Sequence, residues 1–257
     1  WEQEMFRLQA FYGDGLRANH TGVTTGSGAV GDFGGSYLSD FQTNDTDWAF
    51  AGRAELKLAG QWKQFRDLTS FRGEDFGVLV GVGGMGQNLR PNTASPNGTE
   101  SMVGVTGDVS VDFGGANLFA YGVYREVGLQ SDRATRSGGV ESKLAQWGFV
   151  VQGGFFVTED FELFARYEYG NTDTDQFRTA NLLASGEKAS IVTVGFNWYP
   201  MGYANTALKW TTDAGFALDP VVDFNSSGTD WLSDQTGAGQ STSDGQVVIR
   251  SQIQLTF

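Results

Sequence analysis

The feature of this sequence that most restricts its fold is an alternation of apolar and polar residues, which recurs about ten times along the chain. The last segment, residues 246–257, shows the alternation most clearly and ends on an aromatic residue. One side of it is formed by Val247, Ile249, Ser251, Ile253, Leu255 and Phe257, and the other side by Gln246, Val248, Arg250, Gln252, Gln254 and Thr256. An extended chain places alternate side chains on opposite faces, so the pattern predicts a two-faced β-strand.

Ten segments of this kind are predicted to be strands. They are residues 4–12, 48–59, 76–86, 102–113, 116–127, 144–157, 161–169, 189–199, 205–214 and 246–257. Most of them have about the length that a tilted strand needs to cross a bilayer. In the fifth segment we expect Phe119, Tyr121 and Val123 on the outer face and a β-bulge near Arg125.

The connections between these segments alternate in length. Those after the first, third, fifth, seventh and ninth segments are long, whereas those after the fourth, sixth and eighth are short; only the connection at residues 60–75 departs from this order. Long loops on one side and short turns on the other are typical of bacterial outer-membrane barrels. The sequence therefore predicts an all-β fold, an antiparallel transmembrane β-barrel in the outer membrane, with residues 1–257 as a single domain.

The composition argues against several classes of function. The net charge is -13 at pH 7, which argues against nucleic acid as a partner, because such binding needs clustered Lys and Arg. The chain has no Cys and a single histidine, His20, which leaves little room for histidine-based catalysis or a multi-histidine metal site. We therefore predict no enzymatic activity, no catalytic residues, no cofactor and no metal. A hydrolase with an acid-only mechanism is the weakest alternative.

The loops carry acids that could supply oxygen ligands to Ca²⁺. These acids are Asp40, Asp45, Asp47, Asp173 and Asp175. Their spacing does not match an EF-hand loop, so we expect them to be solvated rather than to hold a metal.

If the apolar rows face lipid, the charged rows face the interior. The predicted pore-lining residues are Arg7, Arg53, Glu55, Lys57, Asp108, Asp112, Glu162, Arg166, Glu168, Lys209, Asp213 and Arg250. Acids and bases are balanced among them, which suits weakly selective diffusion of hydrophilic solutes through a water-filled lumen. The alternative is that they form salt bridges that stiffen the wall and fill a narrow, closed interior. The number of strands separates the two interpretations, because it sets the width of the lumen.

Two further features concern the interior. The inward positions of the third segment are small or apolar (Gly77, Leu79, Gly81 and Gly83), which predicts that something packs against this part of the wall. The long segment at residues 13–47 is a candidate for a constriction folded into the lumen. A solvated surface loop is the alternative for that segment.

Three blocks of the sequence resemble a known family. They are RAELKLAGQWKQFRDLTSFRGEDFGVLVGVG at residues 53–83, ELFARYEYG at 162–170 and VTVGFNWYPMGYANTALKW at 192–210. They are similar to the phosphate-selective porin O and P family, and within it to the divergent branch of planctomycete-type genomes. The resemblance implies a trimeric outer-membrane porin of about sixteen strands, in which this chain is the C-terminal part and further N-terminal strands are missing. The loops lack the Arg- and Lys-rich series that phosphate uptake would need.

Two kinds of function agree with these expectations. The first is a porin that allows small hydrophilic solutes or ions to diffuse passively through a mixed-charge lumen. The second is a plugged structural or interaction barrel that holds a partner through its long extracellular loops. The expected partners are outer-membrane lipid and lipopolysaccharide, the diffusing solutes, and other copies of the chain in a homo-oligomer.

Overall fold

The computed structural model describes residues 4–13, 46–89, 99–134, 140–171, 188–201, 207–219 and 245–255. These residues form ten strands and one short 3₁₀ helix, η1. The strands are β1 Phe6–Gly13, β2 Thr46–Ala59, β3 Gly77–Leu89, β4 Thr99–Asp112, β5 Ala116–Ala134, β6 Val140–Phe156, β7 Phe161–Asn171, β8 Lys188–Trp198, β9 Leu208–Ala217 and β10 Val247–Leu255, and η1 is Gln64–Arg66. No helix among these residues is long and apolar enough to cross a membrane.

The ten strands belong to one antiparallel sheet in which each strand pairs with its neighbours in the sequence, from β1 to β10. This confirms the predicted all-β antiparallel fold and shows that its strand order is a meander. The main difference from the predicted lengths is at β5 and β6. β5 continues to Ala134 and β6 begins at Val140, so both strands extend into the loop predicted at residues 128–143. Because the number of strands is even, β1 and β10 run in opposite directions, as antiparallel closure of a barrel requires.

The register lines up the apolar residues of neighbouring strands. One continuous row crosses all ten strands and consists of Phe6, Leu56, Val80, Val109, Ala120, Val151, Tyr167, Val192, Phe216 and Val247. In strands such as β2, β4 and β7, a shift of one residue would put a polar or charged side chain into this row, so the alternation fixes their register. We call the face that carries this row the outer face and the opposite one the inner face.

One predicted face was wrong. Phe119 pairs with Ser110 and Tyr121 pairs with Asp108, so these two side chains and Val123 lie on the inner face. The outer positions of β5 are instead Leu118, Ala120, Gly122 and Tyr124. The bulge expected near Arg125 is also absent, because the register on both sides of that residue is continuous. Both faces of β5 carry apolar residues, so its own alternation cannot select one of them.

Burial on the two faces is the reverse of that in a soluble sheet protein. The outer apolar side chains are exposed, for example Val82 at 59% and Ile253 at 66%, whereas Glu162 on the inner face is 1% exposed. A water-soluble sheet buries its apolar side and leaves its charged side to solvent. The outer face of this sheet therefore has the character of a surface that contacts lipid.

Aromatic side chains form two rows on the outer face, one near each end of the strands. The row on the side of the short turns contains Phe76, Phe113, Phe161, Phe196, Trp198 and Trp210, and the row towards the loops contains Trp48, Phe50, Trp147, Phe149, Tyr167 and Tyr169. On β7, Phe161 and Tyr169 are eight positions apart. That separation corresponds to roughly 27 Å of strand, or about 20 Å of depth at a barrel's usual tilt, which is close to the height of the apolar band in such barrels.

Candidate functional site: the inner face and the connector

The register places all twelve predicted pore-lining residues on the inner face. They are Arg7, Arg53, Glu55, Lys57, Asp108, Asp112, Glu162, Arg166, Glu168, Lys209, Asp213 and Arg250. Their shared face follows from strand periodicity, because alternate residues of each strand point the same way. That these residues line a water-filled pore stays a prediction.

A chain of ion pairs joins the inner faces of β1 to β4. Arg7 Nη1 lies 3.2 Å from Glu55 Oε2, and Arg53 Nε lies 3.0 Å from Glu55 Oε1. The two terminal nitrogens of Arg53 donate to the two carboxylate oxygens of Asp108, at 2.7 and 2.9 Å. This two-pronged geometry is the strongest form of an Arg–carboxylate pair.

Gly81 gives the Arg53–Asp108 pair its space. A Cβ at this position would lie 2.7 Å from Asp108 Oδ2 and would also collide with the Arg53 guanidinium. Gly77, at the start of β3, leaves room for the ring of Phe65, since a Cβ there would be 2.9 Å from Phe65 Cζ. The prediction that something packs against the small residues of β3 is therefore confirmed at these two positions.

The inner charges of β6 to β10 are mostly compensated as well. Arg166 Nε lies 3.0 Å from Glu168 Oε2, and Arg250 Nη2 lies 2.7 Å from Asp213 Oδ1. The buried Glu162 carboxylate accepts hydrogen bonds from two side-chain amides, from Asn117 Nδ2 at 2.9 Å and from Asn197 Nδ2 at 2.7 Å. Each of the two carboxylate oxygens of Glu162 thus accepts one side-chain hydrogen bond.

The segment between β2 and β3, residues 60–76, packs along the inner face and is called the connector below. Near its start, the Trp62 ring lies against two inner cations: the Arg7 guanidinium carbon is 4.2 Å from the ring centroid and Lys57 Nζ is 5.5 Å away. Both are within the range of a cation–π contact.

The far half of the connector is fastened to the short turns. Ser70 is fully buried, and its Oγ accepts a hydrogen bond from the Gly114 N–H at 3.1 Å. Arg72 Nη2 donates to the carbonyl oxygens of Phe156 and Val157, at 2.6 and 3.1 Å. These contacts connect the segment to the β4–β5 turn and to the end of β6.

Two aromatic side chains complete this attachment. The Phe71 ring centroid is 5.0 Å from that of Phe156 and 5.0 Å from that of Tyr199, which follows β8. Thr69 Oγ1 and Tyr199 Oη are 3.3 Å apart and share a hydrogen bond. Burial, above all, raises the pKa of Tyr199 well above its ordinary value, so this phenol stays protonated.

The span of these contacts shows that the sheet is curved. Trp62 touches β1 and β2, whereas Thr69 touches Tyr199 beyond β8. The inner side chain of Glu162 is also 1% exposed, whereas Val82 on the outer face is 59% exposed. The sheet therefore bends around the connector, with the charged face on the inside of the curve.

The connector also carries a carboxyl group with a perturbed ionisation. Glu74 Oε2 accepts a hydrogen bond from the Phe71 N–H at 3.0 Å. Burial is the main reason why the pKa of Glu74 is raised; the Phe71 N–H bond opposes this rise, the negative charge of Asp67 adds to it, and Lys63 opposes it. The charged form of Glu74 is thus less favourable in the docked connector than in water.

Several inner-face residues were not predicted from the sequence. Arg125 donates hydrogen bonds to Gln146 Oε1, one of them from Nε at 2.9 Å. Phe119 and Tyr121 are inner residues because of the corrected face of β5. The unusual length of the connector on the side of the short turns was the available signal for its special role.

Two expectations concern residues outside the described part of the chain. The segment at 13–47, predicted as a candidate constriction, lies almost wholly outside it. So do Asp40, Asp45, Asp173 and Asp175 of the possible Ca²⁺ site. Within the described part there is no group of three or more His, Cys, Asp or Glu side chains that could hold a metal ion.

Comparison with known proteins gives little help with identity. No protein-family model matches the chain, and no curated protein matches it significantly. Among solved structures, its fold is similar to one described as the NanC porin in a rhombohedral crystal form. That similarity has 9% sequence identity and a TM-score of 0.39, and it covers 81% of this chain and 94% of the other. Membership of the phosphate-selective porin O and P family stays a prediction.

Proposed function

We propose that this chain forms the wall of an outer-membrane channel through which small hydrophilic solutes or ions diffuse passively. The observation that carries the proposal is the reversed burial of the sheet. An exposed apolar face bounded by two aromatic rows suits lipid, and a charged face on the inside of the curve suits water. The balance of six acids and six bases among the predicted pore-lining residues supports weak rather than strong ion selectivity.

In this proposal the connector narrows the channel at the end with the short turns. It crosses that end from β1–β2 to Tyr199, and Thr69, Ser70 and Arg72 attach it by hydrogen bonds to the turns and to Tyr199. Charges and polar groups along a narrowed passage are the elements that set size and charge selection in pores.

The proposed location is the bacterial outer membrane, with lipid and lipopolysaccharide around the outer face. We further propose a homo-oligomer, for which a trimer is what the porin O and P resemblance implies. No catalytic role is proposed, and with one His and no Cys the sequence offers little for nucleophilic catalysis.

The second candidate is a plugged barrel with a structural or binding role. The dense attachment of the connector favours it, because Ser70 is fully buried and Phe71 contacts two further rings. The ion pairs across β1 to β4 also fill part of the interior.

Conductance in planar bilayers separates the two candidates. The purified protein is compared with a variant in which residues 62–74 are replaced by a Gly-Ser linker of equal length. The channel proposal predicts ohmic conductance for the natural protein and a larger conductance for the linker variant. Conductance only in the linker variant would support the plugged barrel, and none in either folded protein would defeat the channel proposal.

A further inference from the structure

A polar recess of about 490 Å³ lies between the connector and the inner faces of β6 to β10. Asp67, Leu68 and Thr69 of the connector form one side of it. The other side is formed by inner residues that include Glu162, Lys209 and Arg250. The recess therefore lies beside the connector, and its lining carries charges of both signs.

Most of the charges in this recess are already compensated. Arg250 is paired with Asp213, and Arg166 is paired with Glu168. Glu162 is held by two amides. A solute that bound to these groups would have to compete with contacts that the protein makes itself.

Two side chains of opposite charge, Asp67 and Lys209, have no salt bridge within the described residues. Asp67 accepts a hydrogen bond from the Thr69 N–H at 2.9 Å, and within the described part of the chain it forms no salt bridge. Lys209 Nζ lies 5.6 Å from the centroid of the Tyr199 ring, and the described residues provide it with no carboxylate at salt-bridge distance. One side of the recess thus has an acid and the other a base that no salt bridge within the described residues holds, although the charge of Lys209 also acts on Glu162 at longer range.

We propose that this recess binds small zwitterionic solutes, with the carboxylate of the solute facing Lys209 and its ammonium group facing Asp67. Amino acids and short peptides are the class of solute that this arrangement fits. The inference rests on the channel function proposed above and names the class of solute that would bind beside the connector.

The arrangement of charges explains why a zwitterion fits better than an ion of one sign. A simple anion would be attracted by Lys209 but repelled by Asp67 and Glu162, and a simple cation would meet the opposite combination. A zwitterion places an opposite charge beside both Asp67 and Lys209. The Phe164 ring and the hydroxyl of Thr211 also line the recess and can contact the uncharged middle of a dipeptide.

The inference is tested by solute block of the KCl conductance in planar bilayers. Glycylglycine is the zwitterionic probe, and N-acetylglycinamide is an uncharged probe of similar size. We expect glycylglycine to lower the conductance with a half-saturating concentration about tenfold below that of N-acetylglycinamide, the effect of about one charge-assisted contact. Equal block by the two probes would overturn the inference while leaving the channel function intact.

Two single substitutions and their exchange locate the site. Asp67→Asn and Lys209→Gln should each raise the half-saturating concentration of glycylglycine about tenfold. The combined exchange Asp67→Lys with Lys209→Glu should restore most of the affinity, because it keeps both charges and only reverses the direction of the solute. Lys143→Gln, which removes an exposed ion pair with Glu126 far from the recess, is the matched control and should change nothing.

The failure of this inference can be told apart from failure of the channel function. If the natural protein does not conduct ions, the two probes are titrated by calorimetry against the protein in micelles. Tighter binding of glycylglycine, lost in Asp67→Asn and Lys209→Gln, would support the recess as a zwitterion site without a channel. Absence of any preference there would overturn it.

Discussion

Removing the Phe71 ring should release the connector from the wall. This ring lies 5.0 Å from each of two aromatic partners, Phe156 and Tyr199, and it is half-buried. A Phe→Ala change in a full core costs about 3–5 kcal/mol, so a half-buried ring corresponds to about 2 kcal/mol. Phe71→Ala should therefore raise the undocked population of the connector roughly thirtyfold.

Limited trypsin digestion in micelles measures this population, because the connector contains the cleavage sites Lys63, Arg66 and Arg72. When docking is fast relative to cleavage, the rate follows the population of the undocked form. Phe216→Ala is the matched control, since Phe216 is an exposed aromatic residue of the outer face. Cleavage of Phe71→Ala within the connector at the rate of the natural protein would show that the connector is not held by the contacts described.

Three more predictions concern charge and polarity. Burial raises the pKa of Glu74, so docking of the connector takes up a proton. Thermal stability in micelles should therefore fall as the pH rises from 4.5, the ordinary pKa of this carboxyl group, through its raised pKa. Glu74→Gln should remove this pH dependence. Asp108→Asn should lower the free energy of unfolding by about 1 kcal/mol, a small effect because Arg53 is partly exposed and keeps its ion pair with Glu55. The same substitution should shift the reversal potential towards anion selectivity. Val82→Lys, near the middle of the outer face, should lower the free energy of unfolding in lipid vesicles by about 2–4 kcal/mol. A lysine introduced at a position that water reaches should cost much less.

The strands and their outer face could be predicted because strand periodicity is local information. Alternation in each segment identifies its apolar side, and the register then joins these sides into one row. β5 shows the limit of this reasoning. Phe119 and Tyr121 on one side and Leu118 and Ala120 on the other are all apolar or aromatic. The pairing of Tyr121 with Asp108 of the neighbouring strand decides the face.

The contacts of the inner face depend on residues that are far apart in the sequence. Arg53 and Asp108 are 55 positions apart and meet only because Gly81 lies between them in the sheet. The connector has no periodicity of its own, and its partners are turns that are brought together by the curvature of the sheet. The sequence therefore predicts which residues share the inner face, but not which of them pair.

The account depends most directly on which face of the sheet meets lipid. Because the chain has no Cys, single cysteines can be introduced one at a time and labelled with a membrane-impermeant maleimide in vesicles. Gln152→Cys and Gln252→Cys, on the inner face, should react, whereas their neighbours Val151→Cys and Ile253→Cys, on the outer face, should not. Labelling of the two outer positions with protection of the two inner ones would contradict the account.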